Sequence, residues 1–246
     1  MDHERRMEIA GNVANILRRR YGPSLLYVSV YGSTAKGTDR PDSDIDMLAV
    51  TEKDNMWRDY HLKDVTLWIT VKSMDRFNEQ FYKVDYNWPY EVGQMMYAKV
   101  LYERDGFTRE MVDRVSKLDK RLFMEPAEQH MHEAEEIMRK LVHSSQEKDI
   151  AAVRYWIPFF IEHTNMLIAL LNRGWFTYSG VNNIMNVQDF REAPHGYVDL
   201  VRSLLVINDP QEVANISRDV YGACRKFAER SGIRIKRYSN EEELDI

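Results

Sequence analysis

The sequence has little cysteine, no long hydrophobic run and no surplus of positive charge, and each shortage excludes a class of protein. Its 246 residues include one cysteine, Cys224, which excludes an internal disulfide and a cysteine-based metal cage. The most apolar segment, residues 155–171, is interrupted by polar side chains and is too short to span a membrane. Residues 1–6 lack the apolar stretch of a signal peptide. We therefore expect a cytoplasmic protein without membrane association.

The charge balance is mildly acidic, because 34 Lys and Arg residues against 39 Asp and Glu residues give a net charge of −5. Proteins grip nucleic acid mainly through Lys and Arg, so this balance argues against a nucleic-acid partner, although it permits a small local phosphate site. Hydrophobic residues make up 44% and charged residues 30%, which is typical of a globular protein with a core. Composition therefore excludes classes and identifies no function.

Strand patterns occupy the first half of the chain, and helix patterns occupy the second. Periodicity predicts strands at 25–31, 44–51, 65–71 and 99–103, with helices at 3–20 and 74–82. Beyond about residue 108 it predicts only helices: from Pro126 to at least Leu141, over 149–173, and from Pro210 to Arg230. This change of pattern predicts an α+β protein in which a mixed α/β part precedes an all-α part.

A glycine-rich turn, residues 31–37, directly follows the first predicted strand. Gly32 permits a close approach of the backbone to a ligand, and Ser33 can cap a following helix. Lys36 adds a positive charge that suits phosphate. Taken alone, such a turn is common, so it is a weak indicator of function.

Two aspartates follow the turn at a spacing that strengthens its interpretation as part of a functional site. Asp44 and Asp46, eleven and thirteen residues beyond Ser33, stand two apart on a predicted strand and therefore point to one face. We expect Ile45 and Met47 to face a core on the other side. Paired carboxylates suit Mg²⁺, with substrate phosphates as further ligands. A lone Asp-X-Asp is usually a solvated strand end, but its combination with the turn favours a functional site.

The combination of Gly-Ser, ten residues and Asp-X-Asp resembles the nucleotidyltransferase superfamily that includes DNA polymerase beta, and within it the kanamycin nucleotidyltransferase-like enzymes. More diffuse similarity lies at residues 87–94 and 166–177. The resemblance implies an N-terminal nucleotidyltransferase α/β domain with a mixed sheet, residues 1–115. It also implies a helical bundle domain, residues 116–246, for acceptor binding and dimerisation. The active site would be shared between the subunits of a homodimer.

The resemblance also implies roles for the residues of the turn and of the aspartate pair. Ser33 and Lys36, with backbone N–H groups of the turn at Gly32, would hold ATP or another nucleoside triphosphate. Asp44 and Asp46 would bind Mg²⁺ and take part in catalysis. The cofactor implied is therefore Mg²⁺, and the co-substrate is a nucleotide.

Two further residues acquire roles only through the resemblance. Glu136 stands where the family has the general base that takes a proton from the acceptor hydroxyl. Lys140, one helical turn later, matches a lysine that touches phosphate. The alternative interpretation is an exposed i,i+4 ion pair of small energetic weight.

The sequence departs from the family at two places. Trp68 stands on the strand where the superfamily usually carries a third carboxylate, and Asp64 precedes that place by four residues. Either the site works with two carboxylates, or Asp64 reaches in, or catalysis is impaired. His132 replaces an acid of the antibiotic-modifying enzymes, which weakens the case for a polycationic acceptor.

The function implied is a Mg²⁺-dependent transfer of NMP, AMP from ATP in the first instance, to a hydroxyl of a small molecule, with release of pyrophosphate. An aminoglycoside-like antibiotic heads the list of acceptors, which would make the protein a resistance enzyme. Two alternatives stay open: a nucleotidyltransferase that modifies a protein side chain, and a catalytically impaired nucleotide-binding regulatory protein.

Overall fold

The order of the elements follows the predicted change from strands to helices. A computed structural model describes residues 1–176 and 183–233 of the chain. Within that part the strands are β1 (Leu25–Tyr31), β2 (Ile45–Thr51), β3 (Met56–Leu62), β4 (Val65–Ser73) and β5 (Lys99–Glu103). The α-helices are α1 (His3–Tyr21), α2 (Gly32–Lys36), α3 (Met74–Tyr82), α4 (Trp88–Met96), α5 (Phe107–Ser116), α6 (Met124–Gln146), α7 (Ile150–Leu171), α8 (Asn183–Asp189), α9 (Tyr197–Val206) and α10 (Pro210–Ser231). The predicted α+β class is confirmed.

The described residues divide into two compact units. The first contains residues 1–119 and 175–176, and the second contains residues 120–174 and 183–233. The first unit holds the whole sheet, and the second consists of helices and their connections. None of the helices in the described part is long and apolar enough to cross a membrane. The catalytic and acceptor-binding roles expected for residues 1–115 and 116–246 stay predictions.

The first unit is built on a five-stranded mixed sheet in the order β3-β4-β2-β1-β5. Strands β2 and β4 are parallel, and the other neighbours are antiparallel. On the central strand β2, Ile45 and Met47 are fully buried in a core that α1 covers, as expected. Because side chains alternate along a strand, Asp46 lies on the opposite face of the sheet.

Strand β3 is not predicted by the sequence pattern. It lies at the edge of the sheet, pairs antiparallel with β4 through a turn at residues 63–64, and is exposed over most of its length. A strand that buries neither face lacks the alternation of apolar and polar residues by which strands are recognised. Its position next to β4 matters for the site described below.

The second unit is organised around α6 and α7, which pack against each other and against α10. The buried face of α6 carries Met131, Ala134 and Leu141, and α7 contributes a nearly continuous apolar run from residues 166 to 170. Helices that bury one apolar stripe leave their charged side chains at the surface. Glu136 and Lys140 belong to that exposed set.

Candidate active site

Gly32 occupies a position that favours glycine. Strand β1 ends at Tyr31, and α2 begins at once at Gly32, whose φ of 68° lies in the left-handed region. A Cβ atom at this residue would come within 2.9 Å of the Asp46 carboxylate oxygen Oδ2. The turn and one of the two aspartates therefore lie close together, and the expected approach of the Gly32 backbone to a ligand stays a prediction.

Ser33 does not cap the helix, and that expectation is wrong. The helix begins one residue earlier, with Tyr31 at the cap position and no capping hydrogen bond from a side chain. Ser33 therefore lies inside α2, where its carbonyl accepts a hydrogen bond from the Thr38 N–H at 3.1 Å. Its expected role toward the nucleotide stays a prediction.

A buried threonine ties α2 to the start of β2. The Thr34 hydroxyl donates a hydrogen bond to the carbonyl of Asp44 at 3.1 Å, and Tyr31 pairs in register with Asp46 across β1 and β2. The structure thus brings the turn and both aspartates together on one face of the first unit. Their roles in catalysis stay predictions.

The two aspartates lie in an environment that favours a bound cation. Burial, together with the negative charge of Asp44, raises the pKa of Asp46 to about 6. Burial, with smaller contributions from Asp46 and Asp44, raises the pKa of Tyr31 to about 12. Excess negative charge that is removed from water is stabilised by a nearby cation, and carboxylate oxygens are hard ligands that Mg²⁺ accepts. The residues present therefore fit a divalent ion.

The protein supplies only part of such an ion's coordination. Within residues 1–176 and 183–233, no group of three or more His, Cys, Asp or Glu side chains is arranged to hold a metal. Mg²⁺ commonly takes one or two carboxylates and completes its six ligands with water and substrate phosphates. A two-aspartate site is consistent with that habit and requires the nucleotide.

Trp68 stands in line with Asp46, as the family resemblance implies. The two residues pair in register on β2 and β4, and Asp59 on β3 pairs with Trp68 on its other side. Asp64 lies in the exposed turn before β4, four residues and about 13 Å along the strand from Trp68. The carboxylate in the row of Asp46 is therefore Asp59, which lies two strands away and which sequence reasoning missed.

Lys36 is the positively charged residue of the turn and ends α2. Burial lowers the pKa of its ammonium group, and its Nζ lies 5.9 Å from the centre of the Tyr97 ring. A partly desolvated ammonium gains more from an anion than a fully hydrated one does. This environment agrees with the expected phosphate contact, which stays a prediction.

Arg6 fixes the loop between the turn and the aspartates, and sequence reasoning missed it. Its side chain is fully buried and donates to the Asp39 carboxylate at 2.9 Å. It also donates to four backbone carbonyls, those of Met1, Arg40, Pro41 and Ser43, at 2.6–3.1 Å. Burial alone would raise the pKa of the Asp39 carboxyl. The hydrogen bond from His3 and the charges of His3 and Arg6 outweigh burial, so the pKa of Asp39 is lowered.

Glu136 and Lys140 form an exposed ion pair on α6 of the second unit. The Lys140 ammonium lies 2.6 Å from the Glu136 carboxylate, and the Glu136 side chain is largely exposed, whereas that of Lys140 is half-buried. The hydrogen bond from Lys140, followed by its charge, lowers the pKa of Glu136. The Lys140 Nζ also lies 4.5 Å from the centre of the Trp156 ring. In this state Glu136 is a weak base, since a general base works best with its pKa near the working pH.

Comparison with known proteins assigns both parts of the chain to described families. The model of the nucleotidyltransferase domain matches residues 11–102, and that of the KNTase C-terminal domain matches residues 106–234. Aminoglycoside nucleotidyltransferases (4') from Staphylococcus aureus and from Bacillus sp are each 24% identical over 125 residues, which are 50% of this chain and 49% of theirs. The match thus spans about half the length of these relatives.

A solved structure supports the fold independently. The nucleotidyltransferase-like protein from Exiguobacterium sibiricum 255-15 superimposes with a TM-score of 0.56 at 9% identity, over 90% of this chain and 76% of that one. At this identity the likeness concerns the fold alone. The chemistry of this chain is therefore inferred from its own site residues and not from this likeness.

Proposed function

Because the chain belongs to the KNTase C-terminal domain family, here joined to a nucleotidyltransferase domain, we propose that it transfers AMP from ATP to a hydroxyl of a small molecule. The membership confirms the resemblance seen in the sequence. The observation that supports the proposed chemistry best is the proximity of Gly32 to the Asp46 carboxylate, because it brings the turn and the carboxylate pair to one face.

The residues of the first unit would hold and orient the nucleotide. Asp44 and Asp46 would hold Mg²⁺, which when bound neutralises charge on the phosphates. Lys36 would bind the triphosphate, because a desolvated ammonium pairs strongly with an anion. With the nucleotide held in this way, catalysis is mainly positioning of the acceptor oxygen against the α-phosphorus.

The transfer forms one bond and breaks another. The acceptor oxygen bonds to the α-phosphorus, the bond from that phosphorus to the oxygen bridging to the β-phosphate breaks, and pyrophosphate leaves with the electron pair. In our proposal the acceptor proton passes to Glu136. If the Lys140 side chain rotates away from Glu136 toward a phosphate, the hydrogen bond that lowers the pKa of Glu136 is lost. Glu136 then becomes a stronger base.

The acceptor we propose is an aminoglycoside-like amino sugar. The two related aminoglycoside nucleotidyltransferases (4') support this class, and the chain matches about half of their length. We further propose a cytoplasmic homodimer, as the family resemblance implies. A second candidate, a nucleotide-binding protein without transfer activity, is favoured by Trp68 in the place of a third carboxylate.

Product analysis tests the proposal. The full chain is incubated with Mg²⁺, each of the four nucleoside triphosphates and a panel of aminoglycosides, while pyrophosphate and the acceptor mass are measured. We expect pyrophosphate with ATP and an acceptor mass gain of one AMP. The Asp44→Asn variant should release none. Undiminished release in that variant would contradict the metal assignment, and ATP binding without release would favour the second candidate.

A further inference from the structure

Two tryptophans lie side by side on the sheet face that carries the aspartates. Trp68 pairs in register with Asp46, and Trp57 pairs with Thr70, two residues further along β4. Residues in register on neighbouring strands share a face, so both indoles lie on the face of Asp46. Their ring centres are 5.3 Å apart with planes inclined by 35°.

The pair is too exposed to serve only as core. Trp57 is 64% exposed, and Trp68 is half-buried beneath it. Large aromatic side chains contribute to stability by leaving water, which Trp57 does not do. An exposed aromatic pair beside a polar site is characteristic of ligand recognition.

The geometry of the transfer assigns the pair to the acceptor. In an in-line displacement the entering and leaving oxygens lie on opposite sides of the phosphorus. Asp46 lies on β2, with the turn at Gly32 beside it on the β1 side and Trp68 on the β4 side. If the triphosphate lies on the turn and pyrophosphate leaves toward β1, the acceptor must enter from the side of the tryptophans.

We propose that Trp57 and Trp68 form an aromatic floor on which a ring of the acceptor stacks, an inference that rests on the proposed function. The occupant is an amino sugar ring. Its apolar face lies on the indoles, and its ammonium group contacts an indole face, which attracts cations. Asp59, in register with Trp68, stands at the edge of the floor and provides one carboxylate for an ammonium or hydroxyl group.

Recognition of this kind differs from binding by a cluster of acids. The carboxylates in register with Trp68 are those of Asp46 and Asp59, and that of Asp59 lies 3.3 Å from the His61 Nε2. Attraction between exposed charges is screened by salt, whereas stacking is not. The part of acceptor binding that comes from stacking should therefore persist at high ionic strength, whereas the contact of an ammonium group with Asp59 should weaken.

Substitution of Trp57 tests the floor, with kanamycin A as the probe acceptor. Trp57→Ala should raise the KM for kanamycin A about tenfold, with the KM for ATP and kcat within twofold of the wild type. Trp57→Phe keeps a ring and should raise that KM less. Tyr60→Ala is the matched control, because Tyr60 is a 43% exposed aromatic on the opposite face of the same strand. It should leave both KM values unchanged.

The outcomes separate this inference from the proposed function. An unchanged KM for kanamycin A in Trp57→Ala overturns the floor, and so does a rise in the KM for ATP instead, which would assign the indoles to the base of the nucleotide. If the wild type transfers nothing to kanamycin A, the proposed function fails. The floor is then judged by ¹⁵N-labelled indole signals of the full chain: kanamycin A should shift those of Trp57 and Trp68, and unmoved signals overturn the inference.

Discussion

The two sets of residues to which we assign catalytic roles are built in opposite ways. In the first unit, Asp46 is half-buried, lies close to a left-handed glycine, and has a raised pKa. In the second unit, Glu136 is exposed on a helix surface, is paired with Lys140, and has a lowered pKa. The backbone around Asp46 is shaped for that side chain, whereas the backbone around Glu136 is ordinary helix.

This difference shows which functional assignments rest on contacts within a single chain and which rest on family resemblance. The aspartate site depends on contacts among the described residues: Gly32 makes room, Thr34 holds the carbonyl of Asp44, and Arg6 holds the connecting loop. The assignment of Glu136 depends on family resemblance, since its geometry equally fits a solvated ion pair. The following substitutions test whether the two sets differ as described.

The largest effect is expected at Asp46. Asp46→Asn should lower pyrophosphate release about 10³-fold, by analogy with the loss of other electrostatic groups in active sites. It should not lower the melting temperature at pH 7, because it removes a buried charge that Asp44 repels. Steady-state assays and thermal denaturation measure the two quantities. A fall of both together would make Asp46 a structural residue.

Arg6 tests whether the loop between the turn and the aspartates is held as described. Arg6→Ala leaves Asp39 buried without its cation and should lower the free energy of unfolding by about 3 kcal/mol. Urea denaturation measures the change. Arg5→Ala is the matched control, since Arg5 is the neighbouring residue with an exposed ion pair to Glu8, and it should have no measurable effect. Equal stability of the two variants would show that Arg6 does not hold the loop.

Glu136→Gln tests whether the exposed pair has more than a surface role. If Glu136 is the base, the substitution should lower kcat about 10²-fold and leave the melting temperature unchanged. Glu229→Gln is the control, because Glu229 forms the same i,i+4 pair with Arg225 on α10. Equal activity of the two variants would reduce Glu136 to a solvated surface residue.

Mixed dimers test whether the two sets of residues act across subunits. Mixing inactive Glu136→Ala and Asp44→Ala subunits should restore about a quarter of the wild-type activity, since half of the dimers are mixed and each has one intact site. The assay follows pyrophosphate release after subunit exchange. The absence of any recovery would count against a shared site.

Much of the fold follows from sequence pattern, and the exceptions have physical reasons. Helix α3 and strands β1 and β5 were predicted with their bounds, and β2 and β4 were predicted to within two residues. The buried face of α3 and the buried runs of β1, β2 and β4 made their apolar patterns clear. Strand β3 escaped prediction because it buries neither face.

The site was predictable only in part for a related reason. The Gly32 turn and the two aspartates lie close together in the sequence, so their spacing alone reveals them. Arg6 contacts residues more than thirty positions away, so its burial cannot be read from α1, where it resembles a solvated residue. The same is true of Trp57 and Asp59, which meet the site only through the register of β3 and β4.

If the protein transfers a nucleotide, phosphorus labels at different positions of ATP should end in different products. ATP carrying ³²P at the α position is incubated with the full chain, Mg²⁺ and an aminoglycoside acceptor, in parallel with ATP labelled at the γ position. We expect the α label in the acceptor and the γ label in pyrophosphate. A γ label in the acceptor, or no label in either product, would contradict it.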